Sequence, residues 1–195
     1  MAADSRSRLD PALYPVGTLE NAGGTAVSWG AILAGTVAAT ALTLTLFTLG
    51  SAFGLAAVSP WPGAGVKPTT FTIGAGIWLI VTQWLSSMLG GYMAGRLRTR
   101  WIGVHTDEVF FRDTAHGFMT WALATVIIAL VALAATSITS LAAPVPEVEI
   151  TKEAADAARK IAATFAGFVG ISLVVGAFVA SVGGAVGGRL RDLHP

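Results

Sequence analysis

Gly90-Gly91-Tyr92-Met93-Ala94-Gly95-Arg96-Leu97-Arg98 and Gly183-Gly184-Ala185-Val186-Gly187-Gly188-Arg189-Leu190-Arg191 decide the fold. Each stretch closes a long uncharged run with Arg-Leu-Arg, and the two copies lie 93 positions apart. The sequence therefore reads as one helical hairpin written twice. Each unit holds two spans, so both copies keep the same orientation, a parallel duplication unlike the inverted repeats of many secondary transporters. The first halves of the two units share only a tryptophan, Trp29 and Trp121, followed by Ala- and Thr-rich apolar sequence.

The charge map outlines the spans. No Asp, Glu, Lys or Arg occurs between Glu20 and Lys67, between Lys67 and Arg96, between Asp113 and Glu147, or between Lys160 and Arg189. About 20 apolar residues cross a hydrocarbon core of roughly 30 Å, and every window is longer. With 54% hydrophobic and only 12% charged residues, the chain has too few polar positions to clothe a soluble bundle. The expected fold class is all-α: an integral membrane four-helix bundle built from two tandem helical hairpins.

Five parts are expected along the chain. Residues 1–25 read as a flexible cytoplasmic tail and 26–98 as the first transmembrane hairpin, with helices over about 25–57 and 72–97. Residues 99–114 read as a cytoplasmic connecting loop lying in the interface through Trp101, Phe110 and Phe111, with Asp113 as a helix cap. Residues 115–191 read as the second hairpin, with helices over about 115–142 and from Thr151 onward, and 192–195 as a tail. Pro60 and Pro62, then Pro144 and Pro146, interrupt helix between the members of each hairpin. Thr151 caps a charged helical extension, 151–160, in which Lys152, Asp156 and Lys160 stand four apart. The first apolar run is too long for a signal-peptide core and is expected to be an uncleaved span.

Arg6, Arg8, Arg96, Arg98, Arg100, Arg112, Arg189 and Arg191 fall on one side; Lys67, Lys152, Arg159 and Lys160 fall on the other. Under the positive-inside rule this places both termini in the cytoplasm. A net charge of +1 and the lack of a basic patch argue against nucleic acid as a partner, and the absence of Cys excludes disulfides and thiolate chemistry.

Small residues at four-residue spacing are the most specific pattern. Ser87, Gly91 and Gly95 form one ladder; Gly176, Ala180, Gly184 and Gly188 form the other. Such ladders let helix backbones approach closely. Three uses stay open here: packing of the second helix on the fourth inside one chain, a self-association surface, or the wall of a pore. Arg96, Arg98, Arg189 and Arg191 complement the helix C-terminal dipoles and are expected to anchor the chain on anionic lipid head groups. Hydroxyls recur within the spans, including Thr36, Thr40, Thr43, Thr48, Ser51 and Thr125, with Gln83 the one carboxamide well inside. Most such groups bond to their own helix; the sharper reading makes Gln83, Thr36 and Thr40 a conduit for water or a small neutral solute.

No ionisable residue falls within the apolar windows to mark a proton relay or an ion path. His105, His116 and His194 all lie at the cytoplasmic end, which argues against haem ligation inside the bilayer. Asp113 and His116 are better explained by loop and capping roles than by a metal. Neither a catalytic residue nor a cofactor is therefore expected.

Ser28-Trp29-Gly30-Ala31-Ile32-Leu33-Ala34-Gly35-Thr36-Val37-Ala38-Ala39, then Leu89 to Leu97, then His116-Gly117-Phe118-Met119-Thr120-Trp121-Ala122-Leu123-Ala124-Thr125, form an ordered set of three motifs. From about Ser28 to Arg191 the chain resembles a group of small four-span proteobacterial membrane proteins called "PhnA-like", and it is similar to the small YrzE-type membrane proteins. The resemblance implies a bacterial inner-membrane protein and brings with it no activity and no site residues. The functional expectation is a non-enzymatic scaffold or accessory subunit that associates with itself or with a larger membrane complex through its ladders. The alternative is a passive pore for water or a small neutral solute.

Overall fold

The computed structural model describes residues 26–59, 61, 64–101, 103–142 and 151–193. The expected tail at 1–25 and the linking segment 143–150 lie outside the described residues, as do residues 194–195. Four helices make up the architecture: α1 (Trp29–Ala57), α2 (Pro68–Leu97), α3 (Thr106–Ala142) and α4 (Lys152–Leu193). All four are long and apolar enough to cross a membrane, the architecture of a multi-pass membrane protein.

Two boundaries differ from expectation. Pro68 opens α2 rather than preceding it, since proline at the first helical position sacrifices no hydrogen bond. The connection between hairpins is also shorter. Thr106 already begins α3, so Asp113 sits two turns inside a helix and is not its cap. At the other end, Thr151 does cap α4, its Oγ1 accepting from the Ala154 N–H at 3.2 Å. The neighbouring ion pair there joins Asp156 to Arg159 at 3.4 Å.

The distribution of side chains is inverted relative to a soluble bundle. Val37, Leu130, Leu133, Val174 and Phe178 point outward, as hydrocarbon-facing residues must. The interior is built from Gly, Ala, Ser and Thr, with Ile32 the only large, fully buried aliphatic side chain among the described residues.

Close approach of backbones explains that composition. A Cβ on Gly95 would lie 2.7 Å from the Gly188 nitrogen and closer still to the Gly184 carbonyl oxygen; Gly91 faces the Ala180 carbonyl in the same way. Gly183 and Gly187 meet α2 at Met88 and Tyr92, Gly117 of α3 rests on Ala180, and Gly35 of α1 faces Gly90. The ladder glycines Gly91, Gly95, Gly184 and Gly188 are thus consumed in packing α2, α3 and α4 of one chain together. Ser87 and Ala180 are buried beside them. The face expected to associate with another chain is interior.

These tight contacts occupy only the half of the bundle that carries Arg98. Toward the other end the helices spread. Residues 129–138 of α3 and 151–167 of α4 are exposed throughout, and among the described residues α1 and α4 do not pack on each other. α2 keeps both as neighbours. Trp78 donates its indole N–H to the Leu46 carbonyl at 3.0 Å and stands edge-on to Phe53, while Phe168 of α4 lies over Gly76.

Candidate functional site

At the closed end the charged side chains lock the helices together. Arg98, which follows the last residue of α2, has no exposed side-chain surface. Its guanidinium engages both carboxylate oxygens of Asp113 on α3, with Nη2 to Oδ2 at 2.7 Å, and reaches Asp192 of α4 at 3.3 Å. Trp101 stacks on it at 4.0 Å. The absent side chain of Gly188 makes room for the Asp113 carboxylate. Arg191, the repeat counterpart of Arg98, donates to the Arg98 carbonyl at 3.2 Å and also pairs with Asp192. The N-terminus of α1 joins through His116, whose Nε2 accepts from the Ser28 N–H at 2.8 Å while Nδ1 contacts the Arg112 carbonyl at 2.6 Å.

The four arginines expected to anchor the chain on lipid, Arg96, Arg98, Arg189 and Arg191, differ in exposure. Arg98 is buried, with its guanidinium engaged by Asp113, Asp192 and the Thr99 carbonyl. Arg191 is mostly covered, and Arg96 is half-buried. Arg189 alone of the four is exposed. Asp192, assigned to a tail by sequence, is part of α4 and of the clasp. Among the described residues no three His, Asp or Glu side chains are grouped to hold a metal ion; His105 and Asp107 form an exposed pair instead.

The open half contains the feature that sequence did not reveal. A groove of about 860 Å³ runs from Val58 and Val66 to the middle of the bundle. α2 forms its floor through Phe71, Gly74, Ala75 and Trp78; α1 and α4 form its walls through Phe47, Gly54, Phe165 and Val169. Among the described residues, α3 contributes only Ile128, at the deep end. There the groove adjoins a smaller cavity of about 90 Å³, lined by Gln83, Ser86, Ser87, Thr120, Trp121 and neighbouring apolar residues. Thr43, Gln83, Ile128 and Leu173 line both spaces. Among the described residues, no charged one lines either space.

The polar residues expected to form a conduit separate here. Gln83 lies at the junction of the two spaces, its amide nitrogen donating to Ser87 Oγ at 3.1 Å. Thr36 lies farther toward the clasp, fully buried, with its hydroxyl directed at the Thr120 carbonyl at 3.4 Å. Thr40 Oγ1 is buried without a protein partner. Beyond Thr120, Ile32, Thr36 and Ala94 are packed to near-zero exposure, so the described residues form a blind cleft. Gly176, read as a rung of the α4 ladder, faces the Gln83 amide and the Trp121 indole nitrogen rather than a helix backbone. Its missing side chain gives these polar groups their space.

Comparison with protein-family models, curated proteins and solved structures finds no match. The fold and the site define the class by themselves: a multi-pass, all-α membrane protein with one end clasped by charge and the other open as an apolar groove.

Proposed function

We propose that this chain is a non-enzymatic protein of the bacterial inner membrane that holds a hydrophobic, membrane-dissolved molecule between α1, α2 and α4. The observation carrying this reading is the groove of about 860 Å³ in a bundle whose other half is close-packed. That volume falls within the roughly 300–1,000 Å³ of small-molecule sites, which are mostly apolar with a few polar groups. The gap between α1 and α4 gives such a molecule a lateral entrance. The inner-membrane setting rests on the resemblance drawn from the three sequence motifs. The cytoplasmic placement of both termini rests on the arginine asymmetry. On this topology the clasp faces the cytoplasm and the groove occupies the outer half of the membrane. Arg189 then supplies the contact with anionic lipid.

The packing of Gly91, Gly95, Gly184 and Gly188 within the chain favours the groove reading over self-association through the ladders. The pore reading has the Gln83 and Ser86 lining in its favour, yet it requires a path through Thr36 and Thr120, where side chains are packed. The groove reading is tested by retention of radiolabelled hexadecane through gel filtration of the detergent-solubilised protein. Gly74 lines the groove, and a Cβ built there meets nothing within 4 Å, so Gly74→Phe places a ring at the groove without a backbone clash at its Cβ. Wild type is expected to retain the label and Gly74→Phe to lose it. Equal retention by both proteins refutes the proposal.

A further inference from the structure

The blind end of the groove has a chemistry of its own. Within the helices, hydroxyls ordinarily satisfy themselves on the preceding turn. Thr45 bonds the Ala41 carbonyl, Thr48 that of Leu44, Ser51 that of Phe47, and Ser181 that of Ala177. Thr82 and Ser86 do not. Their side-chain oxygens are buried with no protein partner, as is the Trp121 indole nitrogen. Ser86 is 2% exposed and Thr82 is 7% exposed. Ser86 and Trp121 line the small cavity, and Thr82 lines the deep part of the groove. Three polar atoms without a protein partner, on two helices, thus line two adjoining spaces, whereas buried polar groups are otherwise nearly always paired.

Resting on the groove reading, we propose that this end is a recognition site for the uncharged, oxygen-bearing head group of a long-chain amphiphile, such as an alcohol, whose tail fills the groove. The indole N–H can only donate, so the ligand must offer an acceptor oxygen. The Ser86 and Thr82 hydroxyls can donate or accept, so a ligand hydroxyl finds partners for both its proton and its lone pairs. A carboxylate or an ammonium group finds no counter-charge among the described lining residues and would lose its hydration there. A plain alkane leaves all three polar atoms unpaired.

The experiment compares radiolabelled 1-hexadecanol, hexadecane and hexadecanoate on the delipidated full-length protein, by equilibrium retention in neutral detergent. Hexadecanol is expected to be held at least fivefold more tightly than hexadecane, the scale of one net hydrogen bond. Ser86→Ala and Trp121→Phe each should lower hexadecanol affinity about fivefold while leaving hexadecane retention unchanged. Thr45→Val, outside the groove, should alter neither. Equal binding of hexadecanol and hexadecane overturns the head-group inference and leaves the groove reading standing. Tighter binding of hexadecanoate, or full hexadecanol affinity in both variants, also overturns it. Retention of none of the three probes overturns the groove reading together with the inference.

Discussion

Replacing Arg98 by Met strands Asp113, and the structure lets the cost be estimated. The pair is buried, with side-chain exposures of 0% for Arg98 and 4% for Asp113. Removing one member of such a pair leaves an uncompensated charge and costs about 3–5 kcal/mol, whereas replacing both members by apolar residues is often close to neutral. The two single substitutions should be unequal. Without Asp113, Arg98 keeps Asp192 at 3.3 Å and the face of Trp101 at 4.0 Å. Without Arg98, Asp113 keeps no other hydrogen-bonded cation among the described residues. Arg98→Met is therefore expected to cost about 3–5 kcal/mol, Asp113→Leu roughly 1–2 kcal/mol less, and the double variant to lie within about 1 kcal/mol of wild type. The assay is unfolding of the micelle-bound protein on titration with a denaturing detergent, followed by circular dichroism. Additive effects in the double variant, or single variants as stable as wild type, would refute the clasp as a cooperative unit.

Other positions separate the two halves of the molecule. Gly95→Ala drives a methyl group into the α4 backbone at Gly184 and Gly188, and should destabilise the monomer by about 1–3 kcal/mol in the same titration. Thr48→Ala removes an exposed hydroxyl bonded only to its own helix, and should change stability by less than about 0.5 kcal/mol. Trp78→Phe deletes the indole bond to Leu46; a loss of about 1 kcal/mol, with hexadecane retention reduced, is the expected outcome.

The number and apolar character of the helices were legible because the charge-free windows are a direct consequence of the solvent. Charged side chains are costly where lipid surrounds a helix, so Lys67, Arg96, Asp113, Glu147 and Lys160 bound the apolar windows, while α3 and α4 themselves begin earlier. The close contact of α2 with α4 was among the readings the ladder allowed. The clasp was not legible, because Arg98 and Asp113 lie on what reads as a solvated loop, and their burial depends on α4 returning to cover them. The available signal was Gly188, a glycine with no conformational need that accommodates the Asp113 carboxylate. The groove escaped for a different reason. In a membrane helix, residues facing lipid and residues facing an internal apolar space have the same chemistry, so Phe47 and Val169 carry no mark of their position. Nor does sequence distinguish Ser86, with no partner, from Ser51, bonded to its own turn.

Native mass spectrometry of the protein released gently from its own membrane tests the central claim most directly. The account predicts one small, neutral, hydrophobic molecule bound to each chain, absent from the Gly74→Phe variant. A bare polypeptide mass, or an adduct that persists in the Gly74→Phe variant, would contradict it.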